Sequence, residues 1–182
     1  MGTRHLIEVV VDGQIKVAQY GQWDGYPSGQ GVDVLKFLAE NDLEAFKAKA
    51  SQCSWLTQAD VVMVNATANW TTIFPWLSRD AGSDILTHVM GSENGLKLQN
   101  SHEFASESLF CEYAYVIDFD KNSLEVYKGF NKDELATGER FADLIPEDKE
   151  YQPVKLVALY SLSDLPSRDE FLAELEPADE ED

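Results

Sequence analysis

Asp12-Gly13 stands between "RHLIEVVV" and "QIKVAQYG", two runs rich in β-branched residues. An Asp-Gly pair tolerates the positive φ angles of a tight primed turn, so residues 5–23 are committed to an antiparallel hairpin. The pattern recurs in "EYAYVIDFDKNSLEVYKGF". There Tyr113, Tyr115, Ile117 and Phe119 alternate onto one face, Asp120, Lys121 and Asn122 supply the turn, and Leu124, Val126 and Tyr127 return. A second hairpin is predicted over residues 112–129. The apolar runs Leu6–Val11 and Ile15–Ala18 require a sheet buried on at least one face.

Helices fill the interval between the hairpins. Val34, Leu35 and Leu38 share a helical face, and Asn41 and Asp42 offer an N-cap to a second helix carrying Leu43, Phe46 and Ala50. "TQADVVMVNATANW" reads as helix or strand; Thr57 and Asp60 at capping-box spacing favour helix. Ile85, Leu86, Val89 and Met90 follow a Pro stop with helical spacing, Asp80 is placed as an N-cap, and Gly91 ends the helix. "GSENGLKLQNS" is a loop holding a short strand, "PVKLVALYSL" a strand and "PSRDEFLAELE" a final helix. Strands and helices are grouped rather than alternating, which predicts an α+β fold with an antiparallel sheet. Residues 1–176 form one domain in this reading, and 177–182 an acidic, disordered tail.

Acids outnumber bases 33 to 14 in 182 residues, giving a net charge of −19. Residues 96–182 hold 22 acids and 8 bases, residues 1–95 only 11 and 6. Such a surface repels phosphate backbones, excluding direct nucleic-acid binding, and attracts a basic partner. His5, His88 and His102 lie far apart, and Cys53 and Cys111 make neither a disulfide framework nor a metal motif. No metal and no cofactor is expected. There is no secretory pattern and no run of eighteen apolar residues, so a cytoplasmic protein without a membrane partner is expected.

"YGQWDGYPSGQG" (residues 20–31) packs four glycines and three aromatics between strand and helix. Its glycine spacing matches neither a Rossmann nor a P-loop pattern. Tyr26-Pro27-Ser28-Gly29 suits a β-turn. Two roles are open to the stretch. Trp23 and Tyr26 plug the core while the glycines turn the chain, or Tyr20, Trp23, Asp24 and Tyr26 line a pocket with flat apolar walls and one carboxylate. In the second role Arg79, a cation in a base-poor half, pairs with Asp24 or Glu112 or binds an anionic ligand. The candidate ligand-binding residues are therefore Tyr20, Trp23, Asp24, Tyr26, Arg79 and Glu112. Cys111 is expected as a small core residue.

"MGTRHLI", "VAQYGQWDGYPSGQG", "PWLSRDAG" and "CEYAYVIDFDKNSLEVY" together resemble a family of phage and fungal proteins without an assigned reaction. The resemblance spans most of the chain to about residue 130 and implies a phage accessory role. Two hairpins with helices between them are also loosely similar to the αββα layering of Ntn hydrolases. That analogy implies an amide hydrolase or its inactive descendant, with Thr3 the only candidate nucleophile, blocked by Gly2. The expectation is a non-catalytic binding module that uses loop 20–31 for a small molecule or protein partner. The alternatives are the hydrolase and an acidic protein that occupies a basic cleft as a nucleic-acid mimic or inhibitor.

Overall fold

In the computed structural model, which describes residues 2–178, both hairpins form. Strand β1 (His5–Val11) pairs with β2 (Gln14–Gly21), and β5 (Tyr113–Asp118) with β6 (Ser123–Lys128). Asp12 and Gly13 take φ of 52° and 71°, the primed-turn geometry. Their amides donate to Oδ1 and Oδ2 of Asp120 at 2.9 and 2.6 Å, so one hairpin tip is tied to the other.

The sheet runs β2-β1-β5-β6-β7, with β7 spanning Lys155–Ser161. It is mixed, not antiparallel: β1 and β5 pair in parallel, His5 opposite Tyr113. Some ninety residues separate the hairpins, ample for the crossover that parallel pairing demands. The crossover carries α1 (Val32–Glu40), α2 (Leu43–Ser51), β3 (Ser54–Trp55), α3 (Gln58–Ala66), α4 (Trp70–Ile73), α5 (Asp84–Gly91) and β4 (Lys97–Leu98). Strands β3 and β4 make a small parallel sheet of their own. The last helix is α6 (Arg168–Leu175). The acidic tail expected over 177–182 lies largely outside the described residues.

All seven residues of β1 are buried, because both faces of the sheet are covered. Ile7, Val9 and Val11 join Tyr115, Ile117, Leu124 and Val126 beneath Leu35 and Leu38 of α1, Phe46 of α2, Leu86 and Val89 of α5 and Phe171 of α6. The alternate residues Leu6 and Val10 join Ala114, Val116 and Tyr127 beneath Ala105, Phe141 and Val154. This second cover is a 3-10 turn, His102–Ser106, and a coil over residues 129–154 that contains neither helix nor strand. Cys111 is fully buried in it, as expected of a core residue. Among the described residues no helix is long and apolar enough to cross a membrane.

Candidate functional site

The glycines of loop 20–31 are explained by what lies under them. His5 is opposite Gly21 in the β1–β2 ladder and fully buried. A Cβ on Gly21 would fall 2.0 Å from the His5 ring, and one on Gly25 would fall 2.6 Å from the His5 Cβ. The loop therefore wraps the imidazole with bare backbone. Gly25 is pinned on both sides: its N–H donates to the Thr3 carbonyl at 2.9 Å and its carbonyl accepts from the buried Tyr115 hydroxyl at 2.7 Å. Neither ring nitrogen of His5 has a well-formed hydrogen bond. Burial lowers its pKa to about 4, outweighing the pull of the Thr3 carbonyl and the Asp24 charge.

Two of the three aromatics of the loop face outward. Trp23 is 48% exposed and Tyr26 38%, so neither plugs the core. Asp24, at φ of 55°, accepts from the Tyr26 hydroxyl at 3.2 Å. No ion pair joins Asp24 to Arg79. The Gln22 N–H donates to the Arg79 carbonyl at 3.1 Å, which sets Arg79 and Asp80 beside Gln22 and Trp23 rather than beside Asp24. Asp80 is thereby drawn away from the helix start. It accepts from Trp23 Nε1 at 2.8 Å, and Ser83 occupies the N-cap of α5 without a side-chain bond. Gly91 is the last residue of α5 and Ser92 its C-cap.

Tyr20 and Arg79 do share a cavity. With Gln19, Leu77, Gln99 and Ser101 they line a cavity of about 120 Å³. Leu77 and Gln99 also line a larger groove of about 480 Å³, whose walls are Trp55, Trp70, Val61 and Val64, with Asn65 and Asn100 among its polar groups. The groove owes its shape to α3. The Thr57–Asp60 capping box starts that helix, and Asp60 pairs with Lys97 of β4 at 3.0 Å. Of the four consecutive apolar residues Val61–Val64, only Val64 is buried. Among the described residues Arg79 has no ion-pair partner.

Glu112 sits apart from both, partly buried at the start of β5, its N–H donating to the Arg4 carbonyl at 3.1 Å. The six expected residues thus gather near one end of the sheet but divide into three places: Tyr20 with Arg79, Glu112 with Arg4, and Trp23, Asp24 and Tyr26 on the outer surface of the loop.

A polar network under the coil was not anticipated. Glu8, fully buried, accepts from His102 Nδ1 at 2.6 Å, and its other oxygen has no partner. Arg140 of the coil spans two strands: Nε and Nη2 donate to Glu125 at 2.6 and 3.0 Å, and Nη2 also reaches Asp118. The Tyr127 hydroxyl donates to Glu125 at 2.9 Å. Burial raises the Glu8 pKa against the pull of His102, and the Glu8 hydrogen bond raises that of His102. Burial also lifts Asp118, but Arg140 and the amides of Lys121 and Asp120 outweigh it and hold its pKa low. The sequence signal was three acids, Glu8, Asp118 and Glu125, inside β-rich runs, where a charge must be paired. Among the described residues no group of three or more His, Cys, Asp or Glu side chains is disposed to hold a metal ion.

Comparison with protein-family models, with curated proteins and with solved structures finds no match to this chain.

Proposed function

We propose that the protein is a non-catalytic binding module whose ligand is an apolar molecule with one acidic head. The observation that carries this reading is the wall shared by the two cavities. Leu77 and Gln99 line both, so an apolar groove adjoins a recess lined in part by Arg79, a cation without an ion-pair partner among the described residues. The groove volume, about 480 Å³, falls within the roughly 300–1,000 Å³ of small-ligand sites. Its lining follows the same pattern, aromatic and aliphatic walls with a few amide side chains to fix orientation.

Loop 20–31 serves this site from behind. Its backbone bond from Gln22 to Arg79, and the Trp23–Asp80 hydrogen bond, fix the segment that carries Arg79. Gln19 adds a third tie, from Nε2 to the Ser78 carbonyl at 3.2 Å. Only Tyr20 of the loop faces the ligand. Hydrolysis by Thr3 finds less support: the Thr3 carbonyl holds Gly25, and Gly2 is packed against Trp23 and the Gln22 carbonyl.

Trp55 and Trp70 make the test optical. Titration with decanoate is expected to change tryptophan fluorescence saturably, and decanol, which lacks the acid, to bind more weakly. A full titration with decanoate that leaves the fluorescence unchanged would remove the reading.

A further inference from the structure

A second cavity, of about 330 Å³, opens beside the start of β1, lined by Arg4, Leu109, Phe110, Glu112 and Phe130 among others. Phe130 takes φ of 53°. A bulky L-residue rarely adopts that region, since its Cβ crowds the following carbonyl. The conformation is enforced. Gly129 donates to the Glu112 carbonyl at 2.8 Å, Phe130 to the Ser108 carbonyl at 2.7 Å, and Asn131 to the Ser108 hydroxyl at 3.1 Å. Gly129 runs so close to Cys111 that a Cβ there would lie 2.1 Å from its carbonyl oxygen. All this holds out a ring that is still 50% exposed. Burial of the ring within the chain does not compensate the strain, so the ring is placed for contact with something outside it. Phe110, 48% exposed, forms a second open aromatic wall.

The charges say what that something is. The Arg4 guanidinium carbon lies 5.4 Å from the centroid of the Phe110 ring, a contact that steadies the group. Glu112 lines the same cavity. Among the described residues neither Arg4 nor Glu112 has an ion-pair partner, and they do not pair with each other although their backbones are bonded. One cation and one anion, both partly buried and each without an ion-pair partner among the described residues, beside two aromatic rings, complement a small zwitterion with an apolar side chain. The volume, near the lower end of ligand cavities, suits a molecule of that size. We infer that this cavity binds a free apolar α-amino acid, its carboxylate on Arg4, its ammonium on Glu112 and its side chain between Phe110 and Phe130.

Calorimetry on the full chain tests this with L-phenylalanine, 3-phenylpropionate and phenethylamine. L-Phenylalanine is expected to bind at one site, and each analogue, lacking one charge, to bind about tenfold more weakly or worse. Glu112→Gln should weaken L-phenylalanine by a similar factor and leave 3-phenylpropionate unchanged. Phe130→Gly should abolish binding while the melting temperature holds or rises, because the strain is relieved; it should leave decanoate binding in the α3 groove intact, so the two sites stand or fall separately. Absence of saturable L-phenylalanine binding, equal affinity for all three compounds, or a Phe130→Gly variant that melts lower would overturn the inference.

Discussion

His5 is a neutral imidazole sealed under glycine backbone, and its consequence is a pH dependence of stability. The unfolded chain takes up this proton near pH 6.5, the folded chain only near 4. Stability from this group is therefore complete above 6.5, falls as pH drops through that window, and is lower by about 3 kcal/mol below 4. Urea melts at intervals from pH 7 to 4 should show this slope, and His5→Gln should flatten it. His102 acts in the opposite sense and at higher pH. Its folded pKa is raised by Glu8, so its contribution is present below 6.5 and is lost as pH climbs through the folded value. In Glu8→Gln the ring loses that anion, and its NMR titration midpoint should fall. An unmoved midpoint would break the pairing proposed for these two side chains. His5 and Glu8 were both visible in "RHLIEVVV", but a sequence shows only that two polar groups enter a strand. It does not show that one is wrapped by a loop and the other bonded by a histidine ninety-four positions on.

At the scale of elements, the parts legible in the sequence were those whose signals are local. The Asp12-Gly13 turn, the Thr57–Asp60 capping box and the Asp42 N-cap of α2 each formed from residues within a few positions of one another. The parallel register of β1 and β5 was not legible, because nothing in either strand encodes which neighbour a crossover will supply. Nor was the role of the coil at 129–154, which covers a sheet face with side chains as scattered as Leu135, Phe141 and Val154 rather than with a periodic stripe. Tyr20, Arg79 and Glu112 stood out in the sequence, yet the cavities they line depend also on Gln99, Phe110 and Phe130, which carry no motif. The coil is anchored by Arg140. Arg140→Met would leave Asp118 and Glu125 as neighbouring buried acids without their cation, at a loss of about 3–5 kcal/mol. Chemical denaturation measures it, and amide exchange across 129–154 should quicken in the same variant. A loss below about 1 kcal/mol would mean the coil is held by its apolar contacts alone.

Taken as a whole, the molecule is a mixed sheet with helices on one side and coil on the other, carrying a net charge of −19. The proposed acid-headed ligand must approach against that field, so the attraction has to be local, and Arg79 is the group proposed to supply it. The most direct measurement is a cycle over two changes, Arg79→Gln in the protein and decanoate to decanol in the ligand. If the guanidinium receives the head group, the two losses are not additive, and the coupling is about 1–3 kcal/mol. Decanoate then weakens in Arg79→Gln while decanol does not. If decanoate and decanol respond equally to the substitution, the acid head does not meet Arg79, and the proposed ligand class is wrong.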